Sequence, residues 1–258
     1  MTRGRSGGVQ ERRTGMSDTA DQDKAGERRG PRWRLACSAA IVGLVSLLLG
    51  LPQLVAGFHL NPYDSVLTEL AQGKPVPPSL IERTAASREA SLGWLRGGTQ
   101  MSELATLRVT TLATLPVFSP ERRRLAAEAV DFQAGALALA PGDGYGWTRY
   151  LQTLAISAAP VADVEKVLDE AISRARTDPA LVLVRLRVAA LYWRGLSAAM
   201  RERLAGQIIL AATWSPTALA RIARARQLDD VFAAILATNP IALARYNYVR
   251  TRIGPVGG

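Results

Sequence analysis

From Leu35 to Phe58 the chain runs twenty-four positions without a charged residue, and from Ser79 onward apolar positions recur with helical spacing almost without a break. The first pattern is apolar on every face, whereas the second leaves polar faces. As a helix rising about 1.5 Å per residue, the uncharged run measures roughly 36 Å, enough for a hydrocarbon core of about 30 Å with some tilt. A buried helix of a soluble domain is rarely apolar all round for so long. Gly43, Gly50 and Pro52 are residues that a membrane span tolerates. A cleaved export signal is the alternative, but its apolar stretch is usually about 7–15 residues long and ends in a small-residue cleavage site. Here the polar leader is 34 residues, shorter if Met16 is the start, and Val55-Ala56-Gly57 is a mediocre site. The pattern predicts an uncleaved transmembrane signal anchor at 35–58.

Beyond it, Asn61-Pro62-Tyr63-Asp64 is a turn that opens a short helix through Leu70, and 72–78 (QGKPVPP) is an extended connector. The rest reads as helices with clear punctuation. They are predicted over Leu80–Arg96, from Thr99 or Ser102 to Leu115, from the Ser119 cap to Ala140, and over Tyr145–Ala158, Ala162–Arg176, Pro179–Arg194, Ala198–Thr213, Pro216–Gln227, Asp229–Ala237 and Pro240–Arg250. Ser119-Pro120-Glu121 is a helix start, with serine as cap and proline in the first turn; Gly97-Gly98 reads as a C-terminal stop. Links of two to five residues make neighbouring helices antiparallel. No period-two alternation persists, so the class is all-α. Four regions follow: a disordered basic tail (1–34), the anchor (35–58), a linker with a short helix (59–78) and a helical domain (79–258).

Pro141, Pro179 and Pro216 each follow an alanine-rich helix and precede another, at intervals of 38 and 37 residues. Ala129, Ala136 and Pro141, then Trp147, then Ala189, Tyr192, Leu204, Ile208 and Ala211 occupy small, aromatic and packing positions of such units. Over about 121–240 this resembles the tetratricopeptide repeat, whose unit is about 34 residues and two helices. The intervals here are longer, and Gln133, Leu151 and Arg185 depart from the pattern. The resemblance implies an α-solenoid of helical hairpins with a face for a partner; an irregular helical bundle is the other arrangement. Trp147, Trp193 and Trp214 are expected to fill volumes between layers.

Charge then sets orientation. Residues 1–34 hold nine Lys/Arg against five acids, while 59–73 hold no Lys or Arg. The positive-inside rule places the N-terminus in the cytoplasm and the helical domain across the membrane. Of 32 basic residues only three, Lys24, Lys74 and Lys166, are lysine. This is the arginine bias of a high-GC bacterial genome, so the expected location is a bacterial inner membrane with a periplasmic domain. The single cysteine, Cys37, lies within the apolar run, which leaves the exported part without a disulfide or thiolate site.

No nucleophile elbow, zinc-protease helix or phosphate-binding loop is present, and the lone histidine, His59, sits at the membrane exit. Acidic pairs occur at Asp163/Glu165, Asp169/Glu170 and Asp229/Asp230; Glu165 and Asp169 share a helix face and read as solvated surface beside Lys166 and Arg174. No cofactor or metal is expected. Residues 59–184 balance at −2 (12 basic, 14 acidic), whereas 185–258 carry 11 arginines and three acids, a balance of +8. Arg221, Arg224, Arg226, Arg245, Arg250 and Arg252 cluster in the last helices and are the candidate partner- or polyanion-binding residues. Acidic protein faces, acidic glycans and anionic lipid are the available partners; nucleic acid is excluded by topology. The expected function is a non-enzymatic, membrane-anchored scaffold for an envelope protein complex, in cell-envelope or exopolysaccharide assembly or export. The alternative is an envelope glycan-acting enzyme using carboxylates that the sequence does not single out.

Overall fold

The computed structural model describes residues 30–60 and 63–253. All twelve regular elements among them are helices, and the described residues contain no strand. The basic tail lies largely outside the described residues, as does the Asn61-Pro62 turn.

The chain divides into two units between Leu51 and Pro52, inside α1 (Gly30–Leu60). Leu35–Leu60 is long and apolar enough to cross a membrane, alone in this among the described residues; an anchor and a signal sequence both fit that description. In the first unit every side chain from Leu35 to Leu51 is exposed. An apolar surface of this size is stable only when lipid or protein covers it.

The second unit holds the end of α1 and then α2 (Asp64–Ala71), α3 (Pro78–Trp94), α4 (Gly98–Leu112), α5 (Pro120–Leu139), α6 (Gly144–Ile156), α7 (Val161–Arg174), α8 (Pro179–Tyr192), α9 (Ala198–Trp214), α10 (Pro216–Ala225), α11 (Asp229–Leu236) and α12 (Pro240–Arg250). Five of these helices, α3, α5, α8, α10 and α12, carry proline at their first position, where no backbone N–H is needed. The preceding side chain caps three of them: Ser119 accepts from Arg122 N (3.1 Å), Asp178 from Ala180 N (3.0 Å) and Leu181 N (3.3 Å), and Asn239 from Ala242 N (3.1 Å). α6 and α10 end in left-handed residues, Ala158 (φ 54°) and Gln227 (φ 55°). There Ala159 N reaches Leu154 O (3.0 Å) and Leu228 N reaches Ala223 O (2.8 Å), the wide closing bond of a Schellman turn.

Gly97-Gly98 does not stop α3. That helix ends at Trp94 with Leu95 extended, and Gly97 is instead the N-cap of α4. A Cβ on Gly98 would meet Ala136 O at 3.3 Å, so glycine here permits the start of α4 to approach the end of α5. Neither Thr99 nor Ser102 caps α4; Ser102 is buried and donates to Gln133 Oε1 (3.2 Å), whose amide donates to Gly146 O (3.3 Å). Gln133 thus joins α4, α5 and α6, which accounts for a polar residue at a packing position.

Each helix from α3 onward packs on its neighbour in sequence, and α4, α6, α8, α10 and α12 also pack each on the next even-numbered helix. The larger core runs from Leu151 on α6 to Tyr246 on α12; Ile81, Ala85, Leu104 and Leu107 form a smaller one between α3 and α4. Trp193 is buried edge-on against Phe232 (centroids 5.6 Å apart) and Trp147 packs half-buried on the larger core, but Trp214 is 45% exposed and fills no interlayer volume.

Where α1 meets the helical domain, Arg88 of α3 is only 1% exposed. It donates to Leu60 O (2.9 Å), Asp64 Oδ1 (2.8 Å) and Glu103 Oε2 (2.7 Å), while Ser87 donates to His59 O. One guanidinium therefore gathers the last carbonyl of α1, the first turn of α2 and the side of α4. Burial outweighs the attraction of Arg88 at Glu103 and holds its carboxyl above the ordinary range.

Candidate functional site

The six arginines singled out in the sequence do not act as one patch. Arg224 turns inward along the chain end, donating to Ile253 O and to Arg250 O (2.9 Å). Arg245 donates to Thr213 O (2.9 Å) in the last turn of α9. Arg250 pairs with Asp230 (2.9 Å) and Asp229 (3.8 Å), and Arg252 lies 3.9 Å over the ring of Tyr248. Such bonds to carbonyls and carboxylates fasten α12 to α9, α10 and α11. Arg221 and Arg226 differ: both are exposed, and neither makes a side-chain bond or ion pair among the described residues.

These two arginines border a groove between α8 and α10 that the sequence did not delineate. It encloses about 370 Å³ and is lined by Arg187, Arg221 and Arg226 around Leu191, Ile222, Ala218 and Ala225. An adjoining hollow of about 290 Å³ shares Leu191 and Arg226 with it and adds Arg194 and Tyr192. Four arginines line the two concavities, with no carboxylate among the lining residues and no ion pair to any of the four. Leu191 is 46% exposed at their centre. The geometry follows from helical periodicity: 187, 191 and 194 share a face of α8 and its end, while 218, 221, 222 and 225 share a face of α10. That spacing was available in the sequence at Arg187 and Arg194, but which face of α8 opposes α10 was not.

A larger concavity of about 900 Å³ lies between α7 and α9, lined by Ser173, Arg176, Glu202, Arg203 and Gln207 among others. Three of its polar side chains are engaged: Arg203 pairs with Asp169 (2.9 Å) and bonds Ser173, and Gln207 donates to Arg176 O (2.8 Å). Behind Gln207 sits Arg185, fully buried, donating to Gln207 Oε1 (3.3 Å), Ala175 O (2.8 Å) and Thr148 Oγ1 (3.3 Å). Burial pushes the Arg185 guanidinium down to about 10, with Asp178 acting the other way, so it stays charged at neutral pH. No carboxylate lies within ion-pair distance of it, and its Nη2 has no partner.

The acidic pairs also have structural partners. Glu165 accepts from Ser197 N (3.1 Å) and from the Ser197 hydroxyl, and Asp169 holds Arg203; they tie α7 to α9 and are not merely a solvated face. Asp229 also accepts from Tyr246 (3.4 Å). Among the described residues no group of three or more His, Cys, Asp or Glu side chains is placed to hold a metal ion.

No protein-family model matches this chain. No curated protein and no solved structure matches it either, so the reading of this site rests on the chain's own residues.

Proposed function

We propose that this protein is a single-pass anchored scaffold that holds a protein partner beside the membrane. In this reading α1 spans the inner membrane of a bacterium with its N-terminus in the cytoplasm, and α2–α12 form a periplasmic domain. The helical domain is a short α-solenoid of the tetratricopeptide kind, and it serves cell-envelope or exopolysaccharide assembly or export. The carrying observation is the stepwise packing of α4, α6, α8, α10 and α12, each on the next, with four unpaired arginines opening between α8 and α10. Such a succession presents an extended surface that one small core does not, and this is how helical arrays bind partners. The charge step across 35–58 supports the orientation.

The test is twofold. A reporter active only outside the cytoplasm, fused after Gly258, is expected to be active, and the mature protein is expected to retain residues 35–57 by mass. Chemical crosslinking in intact membranes is expected to trap the wild-type protein with the same partner in repeated preparations. A silent reporter, a chain beginning near Phe58, or a wild-type protein without a reproducible partner contradicts the corresponding part of the reading.

A further inference from the structure

We infer that the α8/α10 groove binds an acidic protein segment in which carboxylates flank an aliphatic side chain. This deepens the scaffold reading and rests on it. Arg187, Arg221 and Arg226 border one groove, Arg194 extends it, and none of the four has an ion pair among the described residues. Arg203, Arg245 and Arg250, by contrast, are each bonded to a carboxylate or a carbonyl, and Arg224 to two carbonyls. An exposed guanidinium costs little unpaired, but several converging without a carboxylate leave a strong local positive potential. A planar fork of donors is matched best by carboxylate or phosphate oxygens.

The floor selects among anionic partners. Leu191, Ile222, Ala218 and Ala225 are aliphatic and lie between the arginines. An acidic glycan has no aliphatic side chain to bury there, and a bilayer surface is too broad to enter a groove between two helices. A peptide supplies both parts, an apolar anchor for the floor and carboxylates for the rim. From Arg187 to the end of α8 at Tyr192 the rim extends about 8 Å, with Arg194 just beyond it, the reach of about two or three extended residues. The recognised unit is therefore short, and affinity comes from one anchor and two or more charge pairs.

The test uses the full chain in discs of neutral phosphatidylcholine and a fluorescent synthetic peptide with aspartate and glutamate on both sides of one leucine. Binding is expected at low salt and is expected to weaken on raising salt to about 0.5 M, where screening acts within a few ångströms. Three changes are each expected to weaken it by about tenfold or more: amides in place of the carboxylates, glycine in place of the leucine, and the variant Arg187→Glu/Arg221→Glu/Arg226→Glu. The triple variant must keep the helicity and melting temperature of wild type; if it does not, Arg→Gln at the same three positions replaces it.

An amide peptide that binds equally well, or a folded variant that binds as wild type does, overturns the inference. So does polygalacturonate or phosphatidylglycerol vesicles competing as strongly as the peptide, since the aliphatic floor would then not be read. A folded triple variant that still traps the wild-type partner in membranes overturns the groove while leaving the scaffold standing. The scaffold itself falls only if the wild-type protein traps no partner.

Discussion

The guanidinium of Arg88 donates to the carbonyl oxygen of Leu60, 2.9 Å away, from a position almost wholly removed from solvent. The end of a helix leaves carbonyls without intrahelical partners, and a buried cation satisfies one of them here. The same side chain holds Asp64 and Glu103. The stretch at 59–78 is therefore fastened to the domain at its start. A chain of residues 63–258 keeps Asp64, whereas one of residues 79–258 leaves Arg88 with Glu103 alone. The longer chain is expected to be the more stable by about 1–3 kcal/mol in urea unfolding, with equal helicity per residue. Equal stability would make the Arg88–Asp64 pair and the packing of α2 dispensable.

Glu103 is expected to give the domain a distinctive pH dependence. Its carboxyl is held above the ordinary 4.5, first by burial, against the pull of Arg88. Between 4.5 and its raised value the folded chain binds more protons at this site than the unfolded chain, so this site's contribution to stability falls as pH rises through that window. Glu103→Gln removes this titration. The stability of wild type minus that of the variant is expected to decline from acid toward neutral pH. A difference that grows instead would mean that the Arg88 pair, and not burial, governs the carboxyl.

The two buried arginines are expected to respond differently to the same change. Arg88→Met strands the half-buried carboxylate of Glu103 and is expected to cost about 3–5 kcal/mol, as for breaking a buried pair by removing one partner. Arg185→Met breaks no ion pair and takes away a buried charge that has only the more distant Asp178 opposite it, with one orphaned Nη2. Its lost bonds to Ala175 O and Gln207 offset that relief, so the net cost is expected within about 1 kcal/mol of zero. Denaturant unfolding of both variants measures the contrast, and equal losses would contradict it.

The tryptophans form a graded series. Trp193→Ala empties a buried site against Phe232 and is expected to cost about 3–5 kcal/mol. Trp147 is half-buried with its indole N–H on Pro141 O (2.9 Å), and alanine there is expected to cost about 1–3 kcal/mol. Trp214→Ala is expected to stay within about 0.5 kcal/mol. Thermal unfolding ranks the three, and a large loss at Trp214 would contradict its placement as an exposed ring outside the core.

Helix positions were legible wherever the chain carries chemistry that acts locally. Ser119-Pro120, Asp178-Pro179 and Asn239-Pro240 announce their helices because cap and proline work within one turn. The sequence places the last residues of two helices at Ala158 and Gln227, but the left-handed turn that closes each is hidden in it, because neither is glycine. Gly97-Gly98 misleads for the opposite reason: Gly97 caps the start of α4 and Gly98 permits the approach of α4 to α5, and neither closes α3. At the candidate site, Arg221, Arg224 and Arg226 are all visible in the sequence as charge, but nothing there separates Arg224 from the other two. Its bonds to Ile253 and Arg250 depend on where the chain end folds back, which spacing does not encode. Arg187 and Leu191 belong to the groove only because α10 packs beside α8, a relation between segments about thirty residues apart.

A photo-crosslinking amino acid placed at Leu191 reports whether a partner is held in the groove between α8 and α10. In cells carrying the full chain, illumination is expected to give one discrete adduct at Leu191 and none at Trp214, which is exposed but outside the groove. The adduct is expected to disappear when Arg187, Arg221 and Arg226 are reversed to glutamate, and its mass-spectrometric map is expected to fall on an acidic segment. No adduct at Leu191, or an adduct unaffected by reversing the three arginines, would rule out the groove as the place where a partner is held.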